Sequence, residues 1–278
     1  MSTFDIVSVR VPERSYRNEL RAIKIVWTRE LIRFRKDRLG MVTSLVQPLL
    51  FLFVLGSGLN SVTQASTGDV NLRTFIYPGI LCVSVMFTAI FSAATIVWDR
   101  EFGFLREMLV APVRRSSIVV GKCLGGATVA SLQGVILIVL MPLVDVPYSV
   151  AVILGVFGLM LLLAFAMTAF GVMLAARIKQ MPSFMRLTQM IVMPMFFISG
   201  ALFPVTGLPG WLAVLNRLDP ITYAVDPMRK LVLGRIDVDV PGVTWFGWHV
   251  PVGLEVLMVA VLGLLMLAIA VWEFSDTE

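Results

Sequence analysis

A row of hydroxyl side chains on one apolar segment is the feature of this sequence best suited to binding chemistry. Its members are Ser84, Thr88, Ser92 and Thr95. Their spacings of four, four and three residues place them on one face of a helix. Hydroxyls donate and accept hydrogen bonds without carrying charge. The pattern predicts a polar stripe that either lines a pathway for a solute or bonds to a neighbouring helix.

The motifs of common enzymes are missing from the sequence. It contains no His-Glu-x-x-His run and no Gly-x-Ser-x-Gly elbow. Gly121-Lys122 resembles part of a phosphate-binding loop. However, Cys123 stands where Ser or Thr is needed, and Ser116 where the first glycine is needed. We therefore predict no catalytic residue in this chain and no hydrolysis of ATP by the chain alone.

The few other reactive side chains favour structural roles. Cys82 and Cys123 lie in apolar runs, which predicts buried thiols without a disulfide. His249 is the only histidine, so we expect no metal site. Glu255 is the one clearly ionisable residue inside an apolar run, and we expect it to extend to the outer surface. One peripheral carboxylate argues against a proton-driven carrier, though not against sodium coupling through backbone carbonyls.

Composition and patterning predict a membrane protein. The chain of 278 residues is 58% hydrophobic and 15% charged, whereas a soluble domain is about half apolar and a quarter charged. About 20 apolar residues span a bilayer as a helix. Six apolar runs are that long or nearly so, and we predict an all-α protein with six transmembrane helices. The runs cover residues 41–59, 74–98, 118–144, 148–176, 187–203 and 251–272.

Lysine and arginine predict the orientation of these spans. Residues 1–40 carry ten of them, and the loops 99–117 and 177–186 carry four and three. The 60–73 loop has one and the 144–148 turn has none. Because positive loops stay in the cytoplasm, we expect both termini there. Residues 1–40 would then be a cytoplasmic tail, and residues 41–278 a single membrane domain.

Two charged segments outside the spans have helical periodicity. In the first, apolar residues recur at helical spacing among many basic ones, as seen at Tyr16, Leu20, Ile23, Trp27, Leu31 and Phe34. It predicts an amphipathic helix flat on the inner leaflet, or else an ordinary helix carrying positive-inside charge. In the second, Phe102, Leu105 and Leu109 predict a short helix over 99–111, ended by Pro112.

The long segment between the fifth and sixth runs is too apolar for a free loop. Residues 212–218 and 220–234 each have a helical pattern but are too short to span. We predict two short re-entrant helices in the outer leaflet, packed against the rest of the protein.

Three stretches carry a resemblance to a known family. Residues 98–115 begin Trp-Asp-Arg-Glu-Phe-Gly, residues 199–204 are Ser-Gly-Ala-Leu-Phe-Pro, and residues 215–229 contain Asp-Pro-Ile-Thr-Tyr-Ala-Val-Asp-Pro. In this order, among six spans, they resemble the type-two ATP-binding-cassette (ABC) exporter permeases. The likeness is strongest to the branch of daunorubicin-resistance and nodulation-factor export permeases, and it extends over nearly the whole chain.

The resemblance implies an assembly and roles for residues. Two permeases, either copies or siblings, would work in the membrane lipid with two ABC-type ATPase subunits. ATP and Mg²⁺ would bind to the ATPases, with no cofactor on this chain and no nucleic acid involved. The N-terminal helix would be the interfacial helix, and the 99–111 helix the coupling helix, seated on the ATPase. Its candidate contacts are Glu101, Phe102, Leu105, Arg106 and Glu107.

The same resemblance implies that the short outer helices cap the interface between permeases. The cap motif comprises Asp219, Pro220, Tyr223 and Asp226, and family members often have Asn-Pro where this chain has Asp219-Pro220. The family moves hydrophobic drugs, lipid-linked glycans and surface polysaccharides. Uncharged, hydroxyl-bearing spans favour export of an uncharged or amphiphilic substrate, such as an antibiotic-like drug or a lipid-linked molecule, across the plasma (inner) membrane.

Two other functions stay open at this stage. A sodium-driven carrier or uniporter would transport without ATP and often contains an inverted repeat, of which we see no convincing trace. A membrane enzyme or assembly factor would need catalysis by the purified chain alone, and the sequence offers no site for it.

Overall fold

The structure is a computed structural model that describes residues 16–58, 72–103, 113–144, 146, 149–205, 207–234, 242–245 and 247–276. Within these residues the chain forms nine α-helices, counting a helix with a local irregularity as one. They are α1 (Tyr16–Lys36), α2 (Arg38–Gly58), α3 (Leu72–Glu101), α4 (Arg115–Val139), α5 (Val150–Arg177), α6 (Met181–Ile198), α7 (Gly210–Leu218), α8 (Thr222–Leu233) and α9 (Val252–Asp276).

Six of these helices are long and apolar enough to cross a membrane, which confirms the predicted fold class. They are α2, α3, α4, α5, α6 and α9, with 18 to 30 residues in each candidate span. Most of α3 and α4 is buried, whereas only about a fifth of the residues of α2, α6 and α9 are buried and the others are half-buried or exposed. An apolar surface of this kind needs lipid or another protein to cover it.

The spans have two chemically different ends. We call the end that carries Arg100, Arg115 and Arg177 the basic end. The opposite end carries α7 and α8, and we call it the far end. The positive-inside rule predicts that the basic end faces the cytoplasm.

The fifth span lies earlier in the chain than predicted. Helix α6 covers Met181–Ile198 instead of 187–203. It starts early because Pro182, near the first helical position, favours helix initiation although the surrounding residues are polar. It stops early because Gly200 has a φ of +72°, a backbone conformation that ends a helix. The bounds 187–203 were predicted from hydrophobicity, which reflects neither the effect of Pro182 nor that of Gly200.

The third span also ends before its apolar run does. Helix α4 stops at Val139, and Met141–Val144 form a short 3₁₀-helix. Pro142 lacks a backbone N–H and cannot continue the α-helical ladder. Thr74 on α3 donates a hydrogen bond of 2.8 Å to the carbonyl of Val144, which fixes this turn to the neighbouring span.

Helix α2 is irregular in its second half. Pro48 lies inside the helix, and Phe51–Leu55 form a π-helical turn. A proline has no N–H for the carbonyl four residues before it, which here belongs to Ser44. The side-chain amide of Gln133 on α4 donates to that carbonyl at 3.4 Å.

A two-stranded hairpin at the far end was not predicted. Strands β1 (Thr244–Trp245) and β2 (Trp248–His249) pair antiparallel around Gly247, whose φ is +86°. Such short strands carry too few residues for an alternating pattern to show in the sequence. The two short helices predicted before it are present as α7 and α8.

Helix α1 packs along the first half of α4. Val26 lies against Gly121, and Trp27 donates a hydrogen bond of 3.0 Å to Thr128. The buried positions of α1 are Val26 and Glu30, whereas Tyr16 and Leu20 of the predicted apolar stripe are exposed. The contact face overlaps the predicted stripe, of which Ile23, Trp27, Leu31 and Phe34 are half-buried, and it also includes Val26 and Glu30. A position flat on a leaflet stays a prediction.

We predict that Gly79 on α3 tolerates no side chain. A Cβ atom there would collide with the backbone of Ala201, including its carbonyl oxygen. Gly79→Ala should therefore destabilise the protein by about 1–3 kcal/mol, the usual effect of overpacking. The measurement is the melting temperature of the purified protein in detergent.

Gly158→Ala is the matched control. Gly158 also lies inside a membrane helix, but a Cβ atom there would meet nothing within 4 Å. This variant should melt at or slightly above the wild-type temperature, because alanine favours a helix over glycine. Equal melting of the two variants would contradict the close approach of α3 and Ala201.

Candidate functional site

All four predicted hydroxyl residues line one cavity of about 430 Å³. We call it the hydroxyl-lined cavity. It lies between α3 on one side and α1 and α2 on the other, with α4 and Phe196 of α6 completing the wall. The hydroxyl residues that α3 contributes are Ser84, Thr88, Ser92 and Thr95, as their spacing predicts. The volume falls in the usual range for small-molecule sites.

Three of these hydroxyls already have partners. Thr88 donates to the side-chain oxygen of Gln133 on α4 at 2.7 Å. Ser92 donates to the carbonyl of Ala89, and Thr95 accepts from Lys122 at 3.1 Å. Thr88 therefore has one of the two roles predicted for the stripe, since it bonds to a neighbouring helix while lining the cavity. Lining a pathway for a solute stays a prediction.

Ser84 differs from the other three hydroxyls. Its side-chain oxygen is buried and has no hydrogen-bond partner among the described residues. Burying a hydroxyl without a hydrogen-bond partner costs folding free energy. The Ser84 hydroxyl could therefore still form a hydrogen bond. Ser84 is the hydroxyl of the stripe whose hydrogen-bonding capacity is unused among the described residues.

Sequence reasoning missed the polar residues on the opposite walls. Ser44 and Gln47 on α2 and Gln133 on α4 also line the cavity. Gln133 could have been predicted to make a polar contact, because an amide buried in an apolar span needs a hydrogen-bond partner. No spacing rule could have joined residues on three different helices.

The remaining walls of the cavity are aromatic. The lining aromatic residues are Phe34, Phe51, Phe87, Phe91, Trp98 and Phe196. Phe51 and Phe196 pack with ring centroids 5.6 Å apart, and Phe87 and Phe91 stack at 6.2 Å. The cavity therefore offers both hydrogen-bonding and aromatic surface, which suits an amphiphilic molecule.

A buried ion cluster closes the basic end of the cavity. Lys122 on α4 contacts Glu30 of α1 at 2.6 Å and Asp99 of α3 at 2.7 Å. Arg29 of α1 pairs with Asp99 at 2.6 Å. Two cations and two carboxylates balance within this cluster, which joins three helices. The sequence analysis placed Asp99 in a loop and did not connect it with Lys122.

The loop between α3 and α4 is held at both ends. Before it, Arg100 donates to the carbonyls of Ala175, Ala176 and Ile178, at the end of α5. After it, Arg115 donates to the carbonyls of Phe274 and Ser275, at the end of α9. Each arginine meets carbonyls that a helix end leaves without partners. A force on this loop would therefore reach α5 and α9 directly.

The predicted coupling residues are only partly within the described chain. Glu101 is the last residue of α3, and its carboxylate accepts from the backbone N–H of Met181 at 3.4 Å. Phe102 is exposed, and Gly103 turns the chain with a φ of +82°. A helix over 99–111 is therefore wrong at its start, because 99–101 continue α3. Leu105, Arg106 and Glu107 lie outside the described residues.

The predicted cap motif forms the turn from α7 into α8. Asp219 accepts the backbone N–H of Ile221 at 3.0 Å. Tyr223 donates to the carbonyl of Arg217 at 2.6 Å and accepts from the indole of Trp245 at 3.0 Å. The motif therefore fixes α8 to α7 and to the hairpin. Pro220 lines a second cavity, beside Asp219 and Tyr223.

Asp226, the last member of the motif, belongs to a buried charged group. It pairs with Lys230 at 2.7 Å and accepts the backbone N–H of Val243 at 3.0 Å. Glu255 of α9 is fully buried, 3.6 Å from Lys230. The expectation that Glu255 extends to the outer surface is wrong, because Lys230 draws it inward.

Arg229 is a buried charged residue whose contacts were not predicted from the sequence. It is almost fully buried, donates to the carbonyls of Gly200 and Ala201, and lies 4.3 Å from the ring centre of Phe75. Burial lowers the pKa of its guanidinium to about 10, so it stays charged at neutral pH. It joins α8 to the end of α6 and to α3.

Comparisons with known proteins decide the family. The family model described as ABC-2 type transporter matches residues 21–233. The chain belongs to the ABC-2 type transporter family. Its sequence is 28% identical over 218 residues to nodulation protein J of Rhizobium leguminosarum bv. trifolii, covering 77% of this chain and 82% of that one. It is 27% identical over 230 residues to the inner membrane transport permease YadH of Escherichia coli K12, covering 81% and 88%.

The family gives the coarse function of the chain. It is a multi-pass membrane transport permease of the ABC-2 type, and its relatives are transport components rather than enzymes. Permeases of this family normally work with an ATP-binding subunit. The matched region includes the hydroxyl-lined cavity, the ion cluster and the cap motif.

We predict that the ion cluster is essential for folding of the ABC-2 permease. Lys122→Met leaves Glu30 and Asp99 buried without their shared cation, which should cost about 3–5 kcal/mol. Arg114→Met is the control, since Arg114 is exposed and its charge lies 4.0 Å from Glu19. That change should cost less than about 1 kcal/mol. Thermal melting in detergent measures both, and similar melting of the two variants would refute the prediction.

A second prediction concerns the pH dependence of the permease's stability. Burial raises the pKa of the Asp219 carboxyl from 3.8 to about 7, although the N–H of Ile221 opposes the shift. The folded protein therefore keeps this proton where the unfolded chain releases it. The stabilisation is present below pH 3.8 and is lost progressively up to about pH 7.

Asp219→Asn removes this titration but keeps the oxygen that accepts from Ile221. Its melting temperature should rise relative to the wild type as the pH increases to about 7, and the difference should then stay constant. Melting curves at a series of pH values measure this difference. A difference that does not change with pH would show that folding does not raise the pKa of the Asp219 carboxyl.

Proposed function

We propose that this ABC-2 permease is the membrane subunit of an exporter that moves an uncharged or amphiphilic molecule out of the cell. The energy comes from ATP, which a separate ATPase subunit binds with Mg²⁺ and hydrolyses. The substrate is a hydrophobic drug, an antibiotic-like compound or a lipid-linked molecule, and the transporter acts in drug efflux or in the export of a cell product.

The observation that carries the proposal is the hydroxyl-lined cavity. Helices α2, α3 and α4 line it with hydroxyl, amide and aromatic groups, and its charged lining residues, Glu30, Arg33 and Asp37, lie in α1 or directly after it. Neutral hydrogen-bonding groups beside aromatic surface favour an amphiphile over an ion. The unpartnered hydroxyl of Ser84 provides one direct contact for such a molecule.

The loop between α3 and α4 supports coupling to an ATPase. Its flanking residues hold the ends of α5, α6 and α9, so a partner seated on the loop would move three spans together. The carboxylates and apolar side chains around the loop suit a protein contact. The proposed coupling residues remain Glu101, Phe102, Leu105, Arg106 and Glu107.

The exposed face of α2 supports a pair of permeases. Its large apolar residues recur at helical spacing and are exposed, namely Leu39, Val42, Val46, Leu50 and Val54. The hydroxyl-lined cavity opens beside α2, so a second permease against this helix would enclose the cavity between subunits. We propose two permeases, copies or siblings, with two ATPases, and a basic end that faces the cytoplasm.

The experiment compares two single-atom changes in the reconstituted transporter. Ser84→Ala and Ser131→Ala each remove a buried hydroxyl that has no partner among the described residues. Only Ser84 lines the cavity. Neither change should lower the melting temperature. Ser84→Ala should weaken stimulation of ATP hydrolysis by an amphiphilic drug such as daunorubicin by about two- to tenfold, the effect of one hydrogen bond.

The same preparation tests the coupling role of the loop. Glu101→Lys with Glu107→Lys should leave the permease in the membrane but separate ATP hydrolysis from transport. The control, Glu101→Gln with Glu107→Gln, keeps the acceptor for Met181. Transport that persists without any ATPase would establish a secondary carrier instead. Equal effects of Ser84→Ala and Ser131→Ala would remove the cavity from the transport path.

A further inference from the structure

A second cavity lies at the far end, away from the hydroxyl-lined cavity. It has a volume of about 520 Å³ and lies between α5, α6 and α9, beneath the turn from α7 to α8. We call it the far-end cleft. Its lining is almost wholly apolar and includes four methionines, at positions 167, 195, 258 and 266. Flexible thioethers adapt to irregular apolar molecules.

One polar group faces this apolar surface without a partner. Asp219 lines the far-end cleft and is 5% exposed. Its oxygen Oδ1 accepts from Ile221, but Oδ2 has no hydrogen-bond partner in the described part of the chain. A buried carboxylate oxygen in this state costs free energy unless something donates to it. The site therefore calls for a ligand with a hydrogen-bond donor and an apolar body.

The position of the far-end cleft indicates the source of that ligand. It lies between three candidate spans, and Leu218 in its lining is exposed, so in a bilayer an opening at Leu218 would meet lipid. The exposed indoles of Trp211 and Trp248 lie in the same far-end segment, and tryptophan favours the level of lipid headgroups. Asp219 thus lies near headgroup level, with the apolar part of the cleft extending along the spans.

We propose that the far-end cleft binds a phospholipid with a primary ammonium headgroup, such as phosphatidylethanolamine. The ammonium donates a hydrogen bond to Oδ2 of Asp219, and an acyl chain fills the apolar cleft. A cation beside this carboxyl also favours its ionised form and offsets the effect of burial. The site shares no lining residue with the hydroxyl-lined cavity, and the side of the membrane on which it lies rests on the proposed orientation.

The chain itself offers a matched test variant. Asp219→Asn keeps the oxygen that accepts from Ile221, so the turn into α8 is preserved. It replaces the charged acceptor by an amide group that cannot hold an ammonium as tightly. Ser131→Ala serves as the control for a buried polar change elsewhere. Phosphatidylcholine is the control lipid, because its quaternary ammonium has no hydrogen to donate.

The experiment places the purified permease in nanodiscs that contain both lipids in equal amounts. Native mass spectrometry then counts the lipids that remain bound after release. The wild type and Ser131→Ala should retain phosphatidylethanolamine over phosphatidylcholine. Asp219→Asn should lose this preference, with binding about tenfold weaker, as expected for one charge-assisted hydrogen bond. The phosphatidylcholine signal should not change.

Two results would overturn the proposal. Equal retention of phosphatidylethanolamine by the wild type and Asp219→Asn would show that Asp219 does not hold the headgroup. Efficient cross-linking of Leu218→Cys to a second copy, with no lipid retained, would show that the cleft is an interface between permeases. The measurement needs neither ATP nor transport, so failure of the proposed export function would leave its outcome valid.

Discussion

The basic half of the molecule depends on one buried interaction, in which the ammonium of Lys122 pairs with two carboxylates. A lysine inside a membrane helix is tolerated only when charges of opposite sign surround it. Glu30 comes from α1 and Asp99 from α3, so neutralising this one charge requires three helices to meet. The same contact closes the basic end of the hydroxyl-lined cavity. The pairing of Lys122 therefore contributes to the packing of α1, α3 and α4, to the tolerance of a charge inside a membrane helix, and to the shape of the cavity.

The far end follows the same rule with different groups. Lys230 lies 2.7 Å from Asp226 and 3.6 Å from Glu255, and Arg229 donates to two carbonyls and lies over an aromatic ring. The hydrogen-bonding groups that α2, α3 and α4 contribute to the hydroxyl-lined cavity are neutral, whereas its charged lining residues, Glu30, Arg33 and Asp37, lie in α1 or directly after it. The transmembrane walls of the cavity thus offer neutral groups to a bound molecule.

Much of the architecture could be predicted because the membrane imposes simple rules on the sequence. Apolar runs predicted the six spans, and the spacing of hydroxyls placed four residues on one face of α3, where the structure shows that they line one cavity. Helix ends were less predictable, since Pro182 and Gly200 shifted α6 through backbone geometry that hydropathy ignores. Contacts between distant segments, such as Glu30 with Lys122, could not be derived from either residue's local sequence. Glu255 was misplaced for that reason.

The proline in α2 has a consequence for how this helix can bend. Pro48 has no backbone N–H, so one hydrogen bond of the helix is missing. The carbonyl of Ser44 instead accepts a hydrogen bond from the side chain of Gln133 on another helix. The π-helical turn that follows loosens the same stretch. The two halves of α2 can therefore change their mutual angle by exchanging one side-chain donor, without unwinding a turn. Helix α2 is one wall of the cavity, and it can bend near Ser44. Gln133, which donates to Ser44, also accepts a hydrogen bond from Thr88 on another wall.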